Sequence, residues 1–145
     1  MHLTIEKIMV LKSLDIFSET PEEDLVEIAS VLKEVEVKSD EKIIEKGEMG
    51  TSMYIIVQGQ VLVHDGDIDL AILGEREVFG EMAALDPEPR SADVTAVMDT
   101  DLLELSGSHL HNLIVERGQV AWGILKVLCR RLRKTLREKQ NEPAL

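Results

Sequence analysis

Two hydrophobic periods divide this chain. From residue 4 to about residue 32, apolar positions recur every three or four residues. From about 33 to 106 they fall into short runs that alternate with polar positions, and beyond 108 the helical period returns. The first stretch predicts a short helix over 4–13, with Ile5, Ile8, Met9 and Lys12 forming a weak apolar face. A second helix runs to about Leu32 and points Leu25, Ile28 and Leu32 one way. Thr20-Pro21-Glu22-Glu23 marks its start: Thr20 as cap, Pro21 at the first helical position, Glu23 closing a capping box.

The middle stretch predicts strands. Val35 and Val37 alternate with Glu34, Glu36 and Lys38, and Ile43 and Ile44 precede Lys46-Gly47. Met53 to Val63 is rich in Ile, Val and Tyr with Gly59 inside it, and Asp65-Gly66 signals a tight hairpin. Asp69–Leu73, Val94–Met98 and Leu102–Leu105 read as further strands. Turn residues recur at intervals of about ten, the rhythm of a sandwich, barrel or jelly roll. The last stretch predicts a short helix over His109–Glu116, a break at Gly118, and a longer helix over Val120–Lys139. On it Ala121, Leu125, Leu128, Leu132 and Leu136 form a stripe. That stripe packs on the chain's own β body, forms a dimer seam, or covers a site. The fold class expected is mainly β with flanking helices. The domain expected is single, with helices over 1–32, the roll over 33–106 and helices over 108–139.

Composition narrows the function classes. With 145 residues and 44% hydrophobic content, the chain can bury a core without covalent staples. Its single cysteine, Cys129, excludes an internal disulfide framework and a Cys-rich zinc site, and reads as a buried or half-buried helix residue. No run approaches the roughly 20 apolar residues of a membrane span. The N-terminus has no basic start followed by an apolar run, so no secretory signal is predicted and the default compartment is the cytoplasm. The net charge of −12 is unevenly spread. Residues 126–145 carry seven Lys/Arg against two acids, a net of +5, whereas residues 1–125 carry nine against 26, a net of −17. Such a body repels nucleic acid and small anions alike, so an anionic ligand needs a strong local site. The basic tail is expected to complement its own helix dipole and the acidic body, the alternative being contact with nucleic acid or an acidic partner.

Residues 78–96 hold the residues suited to such a site. Gly80 opens a short helical turn over Glu81–Leu85, Pro87 and Pro89 end it, and Arg90 follows at once. The first turn offers backbone N–H groups to an anion. An arginine at the far end of the same loop can fold back as a planar two-pronged grip on phosphate oxygens. Glu81 cannot serve a phosphate but can accept a hydrogen bond from a sugar hydroxyl. A phosphorylated sugar uses both.

Phe79-Gly80-Glu81-Met82-Ala83-Ala84 followed by Pro89-Arg90-Ser91-Ala92-Asp93-Val94 resembles the phosphate-binding cassette of the cyclic-nucleotide-binding domain family. Upstream, Lys46-Gly47-Glu48-Met49-Gly50 and the run to Gly59-Gln60-Val61 resemble that family's two-glycine turn, strand and following glycine. The helix–roll–helix order matches too, so the resemblance spans nearly the whole chain. It implies a β-roll that binds cyclic AMP, or less readily cyclic GMP, as a regulatory domain without enzymatic activity or cofactor. Glu81 would take the ribose 2′-hydroxyl and Arg90 the cyclic phosphate. The amides near Gly80, Met82, Ala83 and Ser91 would complete the cradle, and Leu132 or Leu136 would cap the base. The resemblance implies a piece of a larger signalling or transport protein, with no DNA-binding module of its own and with a possible homodimer through the last helix.

Asp93 departs from the pattern, because a carboxylate near a phosphate opposes binding unless it faces solvent or pairs with Arg90. It favours the alternative of a degenerate fold that serves as an interaction or dimerisation module. A metal-dependent β-barrel enzyme is the third reading. His109 and His111 point about 200° apart on a helix and suit no metal. His2 and His64 read as isolated and exposed. Gly47, Gly50 and Gly59 read as turn and bulge glycines without direct chemistry.

Overall fold

The computed structural model describes residues 2–141. Helix α1 (Thr4–Lys12) leads through a 3-10 turn (Asp15–Phe17) into α2 (Glu22–Val31). Ten strands follow: β1 (Lys33–Val37), β2 (Lys42–Ile44), β3 (Met49–Gly50), β4 (Ser52–Gln58), β5 (Val61–Asp65), β6 (Ile68–Leu73), β7 (Val78–Phe79), β8 (Glu88–Pro89), β9 (Asp93–Ala96) and β10 (Thr100–Ser106). Helix α3 (Glu81–Leu85) interrupts them after β7, and α4 (Gly107–Glu116) and α5 (Gly118–Gln140) close the fold.

Two four-stranded antiparallel sheets, ordered β1-β10-β4-β7 and β2-β9-β5-β6, face one another, and β3 pairs with β8 at one end. Val37, Ile44, Ile56, Val61, Phe79, Val94, Ala96 and Leu102 fill the space between the sheets. A second core lies between the first sheet and the helices, where Met53, Ile55, Leu103 and Leu105 meet Leu11, Phe17, Leu25, Ile28, Leu110, Val120 and Ile124. Strands β4 and β10 are therefore buried on both faces, which is why they read as nearly continuous apolar runs rather than as alternation. The predicted β-roll with helices at both ends is the fold found.

Several local expectations change. The apolar face of α1 is Ile8, Val10 and Leu11; Ile5 and Met9 are exposed, because α2 and the 3-10 turn select which side of an evenly apolar helix is covered. Thr20 does not cap α2. The 3-10 turn buries it with its hydroxyl unpartnered, Pro21 takes the cap position, and the Pro21 carbonyl receives the Asp24 and Leu25 N–H groups. Met53–Val63 is two strands, because Gly59 (φ 109°) carries the chain from one sheet to the other against Thr100. The break between α4 and α5 falls at Arg117, whose guanidinium is held by Asp24 at 2.9 Å and Glu27 at 3.3 Å, and Gly118 opens α5. Ser106 caps α4 by accepting the His109 N–H, so that helix starts two residues early.

Helix α5 has two apolar faces rather than one stripe. Val120, Gly123, Ile124 and Val127 are buried against the body, and Leu128 is half-buried. Trp122, Leu125, Leu132 and Leu136 are exposed, as is Cys129 between them, contrary to its expected burial.

Candidate functional site

The loop that carries Arg90 is pinned to the turn before β3. Arg90 N–H donates to the Glu48 carbonyl at 2.7 Å, Gly47 N–H donates to the Arg90 carbonyl at 2.9 Å, and Met49 and Gly50 pair with Pro89 and Glu88. The Arg90 side chain then folds back against α3. Its Nη2 donates to the Ser52 carbonyl at 2.8 Å.

Two glycines make room for it. A Cβ on Gly50 would lie 2.5 Å from Arg90 Nε, and a Cβ on Gly80 would lie 2.6 Å from Arg90 Nη1 and 2.8 Å from the Ser52 carbonyl oxygen. Gly80 also adopts φ 77°, a left-handed conformation that starts α3. Gly50, read from the sequence as a turn glycine, thus belongs to the arginine's seat. The structure brings Gly80 and Arg90 together as expected and leaves Met82 and Ser91 exposed with Ala83 half-buried beside them.

Glu81 is the first residue of α3, where its charge also suits the helix dipole. Its Oε1 accepts from Arg131 Nη1 at 2.6 Å, while its Oε2 is buried with no hydrogen-bond partner among the described residues. Arg131, on α5, also donates from Nε and Nη2 to Asp15 at 3.1 and 3.0 Å. The Glu81 hydrogen bond is the largest influence on this guanidinium and holds its pKa above the usual arginine range. Sequence reasoning missed Arg131, since one arginine in a basic helix carries no local signal. The base-capping candidates Leu132 and Leu136 lie beyond it, exposed.

Asp93 neither faces solvent nor pairs with Arg90. It is buried, its Oδ1 accepts the Lys46 N–H at 2.8 Å and its Oδ2 the Gly66 N–H at 3.4 Å, with Lys42 Nζ 3.6 Å from Oδ1. The Lys46 N–H foremost, then that of Gly66, hold its carboxyl below the usual aspartate range. His64 is not isolated: it lies half-buried between the Gly66 carbonyl (2.9 Å) and the Thr95 hydroxyl (2.8 Å). No cluster of three potential metal ligands occurs among the described residues, and none of their helices is long and apolar enough to cross a membrane.

Comparison with known proteins identifies the family. Residues 34–117 match the model of the cyclic nucleotide-binding domain family. The chain is 28% identical over 131 residues to a CRP-like cAMP-activated global transcriptional regulator of Mycobacterium tuberculosis, covering 87% of this chain and 58% of that protein. It is 39% identical over 97 residues to the cyclic AMP receptor protein of Thermus thermophilus, covering 63% of this chain and 45% of that one. The chain thus spans about half the length of these relatives. The crystal structure of the N-terminal domain of a transcriptional regulator from Streptomyces coelicolor superposes with a TM-score of 0.82 at 30% identity, over 87% of this chain and 94% of the other. With a β-roll, an arginine seated by two glycines and a glutamate at the head of the intervening helix, the chain belongs to the cyclic nucleotide-binding domain family.

Proposed function

We propose that this chain binds a cyclic nucleotide, cyclic AMP in preference to cyclic GMP, as the single sensor domain of a larger signalling or transport protein. Arg90 neutralises the cyclic phosphate, the amides near Gly80, Met82, Ala83 and Ser91 complete the cradle, and Glu81 accepts the ribose 2′-hydroxyl. The role is sensing rather than catalysis, it requires no cofactor, and the compartment is the cytoplasm. The preference for cyclic AMP rests on likeness to the two cyclic-AMP-named relatives.

The observation that carries this reading is the state of Glu81. One oxygen is held by Arg131 and the other is buried without a donor. A buried acceptor left unpaired costs about 1–3 kcal/mol, which a ligand hydroxyl relieves. The ligand thereby reaches α5 through Arg131, so binding at the loop is felt by a helix that an output module can follow. The exposed face of α5 supports a homodimer through that helix, and the acidic body disfavours direct contact with DNA. Asp93 no longer favours a ligand-free module, because its carboxylate is occupied by backbone N–H groups and Lys42.

Calorimetric titration with cyclic AMP and cyclic GMP tests the proposal. The Arg90→Ala variant is expected to bind at least ~10-fold more weakly, the loss of one charge-assisted contact of ~1.5 kcal/mol. Parent protein that takes up neither nucleotide, or a variant that binds as tightly as the parent, refutes it.

A further inference from the structure

Asp93 is the one acidic residue of the arginine-bearing loop and strand that is buried, and its contacts lead back to Arg90. The turn over residues 45–48 grips the Arg90 backbone from both sides, through Arg90 N–H to the Glu48 carbonyl and Gly47 N–H to the Arg90 carbonyl. That turn passes through Gly47 at φ 92° and holds itself together with a 3.2 Å bond from Glu48 N–H to the Glu45 carbonyl. The bond that fastens it to β9 is Lys46 N–H to Asp93 Oδ1, at 2.8 Å. The second Asp93 oxygen takes the Gly66 N–H of the β5–β6 hairpin, and Lys46 Nζ closes the same ring onto Asp65 at 2.9 Å. One carboxylate therefore ties together the strand that follows the arginine, the turn that grips its backbone and the neighbouring hairpin.

We infer that Asp93 is a positioning residue for nucleotide binding, which fixes the 45–48 turn and through it the direction of the Arg90 guanidinium. This rests on the proposal that Arg90 binds the cyclic phosphate. A negative charge three residues from the phosphate-binding arginine should weaken binding by repulsion, so its removal should help, and more so at low salt. Here the charge is already met by Lys42 on β2, with His64 on β5 3.9 Å away and Lys46 engaged with Asp65 on the turn side. What removal takes away is the fastening of the turn.

The geometry also ranks the substitutions. Asp93 offers two acceptors to two N–H donors. Asparagine offers one acceptor and one amide donor, so Asp93→Asn can keep the shorter Lys46 bond while turning its NH2 against Gly66 N–H. Asp93→Ala loses both bonds. Calorimetry with cyclic AMP is expected to show affinity falling about threefold for Asp93→Asn and about tenfold for Asp93→Ala, less than the full worth of one and two hydrogen bonds to a charged acceptor, because only the part that aims Arg90 reaches the ligand. In an Arg90→Lys background, which no longer presents the planar fork, Asp93→Ala should cost less than about twofold, because aiming then matters little. A general loosening of the domain would instead cost the same in either background.

If Asp93→Ala does not fold, Asp93→Asn decides alone by the sign of its effect. Unchanged or tighter binding in the variants, or an equal cost in both backgrounds, overturns the inference while the parent's own binding stands. Parent protein that binds neither cyclic AMP nor cyclic GMP removes the proposed function and this inference with it.

Discussion

Gly50 and Gly80 crowd the same guanidinium by different means, and the difference allows a clean test of the seat. Gly80 needs its left-handed φ of 77°, so any side chain there strains the backbone as well as meeting Arg90. Gly50 sits in ordinary strand conformation, and what an added methyl meets is only the flexible Arg90 side chain. Gly50→Ala is therefore expected to shift the unliganded melt by less than about 1 kcal/mol equivalent. The displaced guanidinium should lower cyclic AMP affinity by about tenfold, one charge-assisted contact. Equal affinity of Gly50→Ala and parent in calorimetry would show that the arginine does not need this seat. Arg90, Glu81 and Gly80 are legible because they lie within eleven residues of chain, whose local spacing lets the loop fold back, and the family resemblance implies the role of each. Gly50 is visible only as a turn signal, since its role arises from a strand pairing with Glu88, 38 residues away, and of its neighbour Met49 with Pro89. Asp93 shows only its charge in the sequence, because no pattern announces that two backbone N–H groups from distant turns converge on it.

Helix α5 divides into an anchored and a free half at Arg131. Before it, Val120, Gly123, Ile124 and Val127 are buried, Gly123 lies so close to the Glu19 carbonyl that a Cβ would approach to 2.9 Å, and Arg130 pairs with Glu19 at 2.8 Å. After it, residues 132–140 are all exposed. Among the described residues Arg131 makes the last ion pair of the helix with the body, and it touches both the cassette through Glu81 and the 3-10 turn through Asp15. A ligand that draws on Glu81 should therefore alter hydrogen exchange across 118–139, and in an Arg131→Met variant that alteration should vanish while the ligand still binds. Identical ligand-induced exchange in variant and parent would place the coupling elsewhere. The same helix shows where periodicity reading stops. Strand and helix order could be read from the chain because each period holds over whole elements. The face of α5 could not, because apolar residues surround its first half and only the packed body decides which are covered; α1 failed in the same way at Ile5 and Met9.

At the scale of the molecule, the uncovered face of α5 follows a second rule. Trp122, Leu125, Cys129, Leu132 and Leu136 are spaced three, four, three and four apart, the repeat of a two-stranded coiled-coil seam. The buried residues Val120, Ile124 and Val127 lie off that seam, so one helix can pack on its own roll and on a second copy at once. Charge does not oppose this. In a parallel pair the basic flanking residues Lys126 and Arg133 face Ala121 and Leu128 of the other helix rather than further cations. In such a pair Cys129 of each copy occupies a seam position and meets its equivalent. Sedimentation of the reduced protein should therefore give a dimer in the micromolar range, and Leu125→Glu combined with Leu132→Glu should convert it to monomer with an unchanged roll. Mild oxidation should link the parent through Cys129, and the Glu variant far more slowly. A parent that sediments as a monomer throughout that range, with no faster cross-linking than the variant, would leave the seam without a partner copy and return α5 to the single task of following Glu81.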